Sequence, residues 1–186
     1  MRLRNILILV AILLALGGYV YFSNMPEPPE EEEPRPFVWI IDMNDIQHIT
    51  VSLPREGKSE SFIKVEQDEQ FPWFFDDAER SEVDIDRWGG GIPLLLSGPG
   101  ADRIISENTS DEKLAEFGLV EPLMRITLTL IDGRIMNIDV GDKTPNEQNN
   151  YVKAPGTRDV ALVYYGWCDV LERLVLEPPY ASASDD

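Results

Sequence analysis

The chain has one cysteine, Cys168, and one histidine, His48, in 186 residues. A single cysteine rules out an intrachain disulfide, so bridges say nothing about the redox compartment. With no second Cys or His beside either residue, there is no metal-ligand spacing. Basic residues are also scarce: 16 Lys and Arg stand against 34 Asp and Glu, a net charge of −18. Nucleic-acid binding needs clustered Lys and Arg against phosphate, and no such cluster occurs. The same balance opposes electrostatic docking on an anionic lipid surface. The P-loop Lys-Ser/Thr is missing, so Gly89-Gly90-Gly91 reads as a connector before Pro93 and not as a phosphate cradle.

What is present divides the chain. Residues 1–5 carry Arg2 and Arg4, and residues 6–22, ILILVAILLALGGYVYF, contain no charge. As a helix this run spans about 26 Å, near the lower limit for crossing a bilayer. Tyr19, Tyr21 and Phe22 stand where an interfacial aromatic belt belongs. The arginines before the run place the N-terminus in the cytoplasm and everything after it outside, so the expected membrane contact is lipid bilayer through 6–22. A cleaved secretory signal shares the basic start and apolar core, but the run ends in bulky aromatics and not in a small-x-small site. No cysteine follows it to serve as a lipoprotein site. Residues 23–36 hold PEPPEEEEPRP, in which proline and like charge favour an extended spacer, about 34 Å for its eleven residues. Residues 181–186 form a small acidic tail.

Between them, residues 37–180 are long enough for one domain with a core of its own. In the second half, Ile126, Leu128 and Leu130 alternate with Thr127 and Thr129. Met136, Ile138 and Val140 alternate with Asn137 and Asp139. That is the period of two half-buried strands, joined at Asp132-Gly133 by a hairpin turn in which both positions tolerate positive φ. Gly141-Asp142 and Pro145-Asn146 mark the next turn. Strands follow near Tyr151–Lys153 and Val160–Tyr164, and a helix closes the unit.

The first half repeats the plan. Ile49, Val51 and Leu53 alternate with His48, Thr50 and Ser52, and Pro54 to Gly57 make a turn. Ile63 and Val65 continue the pattern, Phe71 to Phe75 form an aromatic third segment, and Leu94–Leu96 carry a helical turn. Ala101 to Ser106 reads as a short strand or bridge, and Ser110 or Asp111 caps a short helix through Glu116 ended by Gly118. IQHITVSL resembles MRITLTL, and Trp88 and Trp167 fall at matching offsets. The expected fold is α+β: two β-meander-plus-helix units, 37–100 and 101–180, in one extracytoplasmic domain preceded by a single transmembrane helix.

Three stretches carry a family resemblance: Phe117-Gly118-Leu119-Val120-Glu121-Pro122, then Asp132-Gly133, then Gly141-Asp142-Lys143-Thr144-Pro145 before Tyr151-Val152. This order of a Gly-Leu-x-x-Pro turn, an Asp-Gly turn and a Gly-Asp-x-Thr-Pro turn resembles the DUF4340 domain, a bacterial domain of unknown function, over roughly 94–176. The triple glycine and Pro93 depart from the family's usual first helix. The resemblance implies a single-span envelope protein with an accessory role, in some members beside ABC transporter components. It supplies no catalytic residue and no cofactor.

For chemistry, His48 falls on an outward strand face, where a solvated side chain is expected, and Cys168 sits on an apolar helical stretch with Val170, Leu171 and Leu174. Asp76, Asp77, Asp84 and Asp86 offer paired carboxylates for a hydrolase, a distant reading in a chain this acidic. The turn Gly141, Asp142, Lys143, Thr144 and Pro145 is the leading candidate for recognition, since loops on a rigid sheet often carry it. Trp73 and Trp88 would mark a partner surface if exposed, or the core if not. The expected function is a non-enzymatic accessory or scaffold protein that binds an envelope protein or membrane complex. A ligand-capturing domain serving a transporter is the alternative.

Overall fold

A computed structural model describes residues 3–23, 36–65, 73–88 and 91–181. The chain divides into two units, 1–34 and 35–186. The first contains α1, Leu3–Ser23, a continuous helix of 21 residues. It extends past both ends of the uncharged run. Its side chains are described at 7, 8 and 10–19, and Leu7, Ile8, Val10, Ile12, Leu13, Leu14 and Leu16 are all exposed. Among the described residues no helix is long and apolar enough to cross a membrane.

The second unit is an eight-stranded antiparallel sheet with helices. The strands are β1 (Ile46–Leu53), β2 (Lys58–Lys64), β3 (Trp73–Phe75), β4 (Arg103–Ser106), β5 (Met124–Leu130), β6 (Ile135–Lys143), β7 (Asn149–Lys153) and β8 (Val160–Tyr164). The helices are α2 (Ile85–Trp88), α3 (Ile92–Ser97), α4 (Asp111–Glu116) and α5 (Tyr165–Leu176). Across the sheet the order is β3-β2-β1-β5-β6-β7-β8-β4. The two meanders therefore do not stack as separate sheets. They join edge to edge through β1 and β5, with Ile49 opposite Leu128 and Val51 opposite Ile126. The outermost strands, β3 and β4, have only three and four residues.

Alternation explains which face is buried. Ile49, Val51, Ile126, Leu128, Ile138, Val152 and Val163 meet Leu171, Leu174 and Val175 of α5 in one core. Trp39 and Trp167 meet edge to face in it, with ring centroids 6.0 Å apart. Each indole N–H donates 2.9 Å to a carbonyl of α3, from Trp39 to Leu96 and from Trp167 to Leu95. These bonds satisfy carbonyls that a short helix cannot use itself. The opposite face is polar over most of its width. Arg125, Asp139 and Lys153 form a ladder across β5, β6 and β7, at 2.6 Å and 3.1 Å. Toward β8 that face gains a small second core of Leu114, Leu119 and Val160, with Ile105, Phe117 and Tyr151 packed against it.

Three local expectations change. On β2 Phe62, opposite Ile49, is fully buried while Ile63, opposite His48, is only partly so, which reverses the inward parity read from Ile63 and Val65. The β5–β6 connection is a three-residue loop, 131–133, in which only Gly133 has positive φ, 83°. Its N–H donates to the Leu130 carbonyl, and the Leu130 N–H to the Arg134 carbonyl, the bonds of a bulged hairpin loop and not of a two-residue turn. Gly141, Asp142 and Lys143 belong to β6, after a register shift past Val140, so the turn itself begins beyond them. Ser110 caps α4 as expected, accepting from the Lys113 N–H. Gly118 beyond it has φ 68°. Phe71 and Gly89-Gly90 lie outside the described residues.

Candidate functional site

The segment 141–145 is held by an interlock with 117–121. The Asp142 N–H donates 2.9 Å to the Phe117 carbonyl. That approach leaves no room at 141, where a Cβ would stand 2.0 Å from the same oxygen. At Gly118 a Cβ would meet the Asp142 carboxylate at 2.5 Å. Arg55, from the β1–β2 turn, closes the arrangement. Its guanidinium donates 2.8 Å to Asp142 Oδ1, 2.8 Å to the Glu121 carbonyl and 3.4 Å to the Gly118 carbonyl. Gly141 is thus required by close backbone approach and Gly118 by its positive φ beside the Asp142 carboxylate, and that acid has a fixed cationic partner.

Beyond the interlock the chain turns through Thr144 to Gln148. The Thr144 hydroxyl donates 2.7 Å to Asn146 Oδ1 and accepts from the Asn149 N–H at 3.2 Å. Thr144 and Pro145 form one wall of a groove of about 590 Å³. Phe117 and Tyr151, stacked with centroids 4.4 Å apart, line it together with Ile105 and Leu162. Two of its polar groups are unspent. Asn149 is 7% exposed, and its side-chain oxygen has no hydrogen-bond partner. The Arg103 guanidinium, also at the groove, has no partner among the described residues. A buried acceptor, an unspent cation and two stacked rings form the side-chain set with which a protein recognises a polar group attached to an apolar or planar body.

Residues 96–171 match DUF4340, a domain of unknown function.

The match starts in α3 and ends in α5, so it takes in β4 to β8, the interlock except Arg55, and the whole groove. It covers less than half of the chain and leaves β1 to β3 outside. No curated protein and no solved structure matches the chain.

The remaining candidates are scattered relative to the DUF4340 segment's groove. Lys143 projects to the opposite face, 5.6 Å over the Tyr165 ring. Trp88 is buried, 4.7 Å from Phe62 and 5.6 Å from Trp73, so it is core. Trp73 is half-buried beside it. His48 is not simply solvated: its Nε2 lies 2.8 Å from Asp76 Oδ2, and Asp76 also pairs with Arg80. Those hydrogen bonds, His48 first and then Arg80, hold the Asp76 carboxyl below its ordinary value. Asp77 accepts from the Ser81 N–H, and Asp84 accepts from the N–H groups of Asp86 and Arg87 at the start of α2. Of the four acids read as a possible pair, Asp77 and Asp84 are thus engaged in a local turn and a cap, Asp76 is held by His48 and Arg80, and Asp86 enters these bonds only through its backbone N–H. Cys168 is buried on α5 as expected, while Val170 is exposed, and burial pushes the thiol up to about 12.

Arg55, Arg103, Asn149 and Asn150 escaped the sequence reading. Arg55 reaches its partners across 63 to 87 residues, a distance no local pattern reports. The asparagines did leave a signal. Two adjacent amides inside a strand, where Asn is disfavoured, ask for a reason.

Proposed function

We propose that the chain is a membrane-anchored accessory protein that binds another envelope protein or membrane complex, an ABC transporter among the candidates, through the Phe117–Tyr151 groove. The carrying observation is the pairing of unspent polar groups, Asn149 Oδ1 and Arg103, with stacked rings in an open depression of about 590 Å³. An open groove of that kind suits a protruding side chain or peptide loop of a partner. The interlock supports this reading, because it fixes one wall of the groove against the sheet. Attachment to the bilayer is the second half of the proposal. It rests on the uncharged run 6–22 and on the exposed aliphatic side chains of α1. The arginines before that run orient the folded unit outside the cytoplasm. The proposal involves no catalytic step.

The test uses the full-length protein in its own membranes, with a photoreactive residue placed at Asn146 or, as a control, at Glu56. The expected result is one discrete adduct from Asn146 that Arg103→Glu abolishes. Absence of any adduct, or the same adduct from Glu56, overturns the groove as the docking site. Protease added outside spheroplasts should digest the folded unit. Protection there, with digestion after lysis, overturns the orientation.

A further inference from the structure

Asn149 and Asn150 are neighbours in β7, so their side chains leave opposite faces of the sheet. Asn149 meets the groove. Asn150 meets a separate pocket of about 170 Å³ between α5 and the strands β6 and β7. We infer that this second pocket binds a small zwitterion of the amino-acid class, with its ammonium group at Asn150 Oδ1 and Glu172 and its carboxylate at Lys143. The inference stands independently of the groove.

Asn150 is 2% exposed. Its amide Nδ2–H donates 3.2 Å to the Gly141 carbonyl, and its Oδ1 has no partner. The bond to a carbonyl fixes which way the amide points, since the reversed amide would set two acceptors against each other. A buried acceptor without a donor is costly, and here it belongs to a residue lining a cavity. The group that satisfies it must carry an N–H or O–H.

The charges around the pocket say more. Lys143, on β6, and Glu172, on α5, both line it, and neither forms an ion pair among the described residues. Both act on the same atom, the Cys168 thiol at the pocket wall, which Glu172 pushes up and Lys143 pulls down. They therefore face one space without neutralising each other. Lys143 sits over the Tyr165 ring at the first turn of α5, where the helix dipole also favours an anion. Glu172 lies two turns further along the same helix, at the end suited to a cation. Asp169, between them, is committed to Arg173 at 3.0 Å. Leu123, Met124 and Val140 supply an apolar wall.

Size limits the occupant. The volume equals roughly five or six waters at ~30 Å³ each, below the range of about 300–1,000 Å³ typical of drug-sized ligands. A short amino acid with separated charges fits that volume and both ends of the site. A simple amine leaves Lys143 unmatched, and a simple carboxylate leaves Glu172 and Asn150 unmatched.

The test is titration calorimetry on the full-length protein in detergent, with 4-aminobutyrate and L-alanine as zwitterions and butylamine and butyrate as their half-ligands. At least one zwitterion should bind, and each half-ligand should bind at least about tenfold more weakly. Lys143→Gln and Glu172→Gln should each weaken the zwitterion by about tenfold. Neither side chain carries an ion pair among the described residues, and the Lys143 contact with the Tyr165 ring is worth about 1 kcal/mol at most, so both variants should melt within a few degrees of the parent protein. The inference is overturned if neither zwitterion binds at millimolar concentration. It is also overturned if a half-ligand binds as tightly, or if both variants retain full affinity.

Discussion

The carbonyl oxygen of Phe117 stands 2.0 Å from the point where a side chain at Gly141 would begin, so these residues meet only because one of them is glycine. The contact joins two stretches separated by β5 and most of β6 into one backbone clamp.

Gly141→Ala should therefore be among the most damaging single-atom changes in the protein. Backbone must move to admit the methyl group, and a loss of about 2–4 kcal/mol is expected, in the range of severe core substitutions. Gly118→Ala should cost about 1–2 kcal/mol from its left-handed backbone alone, with the clash against Asp142 added. Urea unfolding of both variants checks the pair. A Gly141→Ala midpoint equal to the parent's would refute the clamp.

Arg55→Met removes three donated hydrogen bonds while keeping the aliphatic stem. Because the guanidinium is more than one-third exposed, solvent screening reduces its worth, and about 1 kcal/mol of lost stability is expected. Asp142→Asn should lose a similar amount, and the double variant should lose less than the sum. A double-mutant cycle measures that coupling, and strict additivity would show that the two side chains act separately.

Asp139 is the buried member of the Arg125–Asp139–Lys153 ladder, and its side chain is 7% exposed. Asp139→Ala leaves two cations facing each other without their shared anion. A loss of about 2–3 kcal/mol follows, measurable as a lower melting temperature.

Asp76 gives the protein an acid-sensitive contact. Its carboxyl titrates below the ordinary 3.8, first because of the His48 hydrogen bond and then because of Arg80. The contact's stabilisation is complete above the unfolded value near 3.8 and is lost as pH falls through the lower folded value. Asp76→Asn should flatten the stability profile in that acid window. An NMR titration placing Asp76 at or above 3.8 would contradict the assignment.

The thiol of Cys168 should resist modification in the folded protein. Burial raises it to about 12, so little thiolate exists at neutral pH. Ellman's reagent should react only as the protein unfolds. In alkali the sign reverses: between the ordinary 9.0 and about 12, the unfolded chain loses this proton and the folded one does not, so stability declines across that interval.

Local chemistry was legible wherever neighbours in sequence are also neighbours in space. The alternation in β1, β5 and β6, the Ser110 cap and the reversal at Gly118 all follow from residues a few positions apart. The likeness of IQHITVSL to MRITLTL pointed to two meanders, but not to their strands pairing directly, because edge-to-edge docking depends on segments more than 70 residues apart. The same limit hid the groove, whose walls come from 102, 103, 105, 117, 144–146, 149, 151 and 162. The sequence marked Thr144 and Pro145 as a distinctive turn. It did not reveal that β6 runs on to Lys143 past a register shift, within which the Asp142 N–H bonds the distant Phe117 carbonyl. His48 shows the same effect: its partner Asp76 arrives only once β3 has folded back onto β2.

The brevity of β3 and β4 bears on how copies of this protein behave at high concentration. With three and four residues at its two margins, the sheet offers an incoming strand almost no template for backbone pairing. Fibril-like stacking is discouraged at both borders, and so is any partner that docks by lengthening the sheet. Molecules that associate with the described sheet should therefore do so through side chains on its faces.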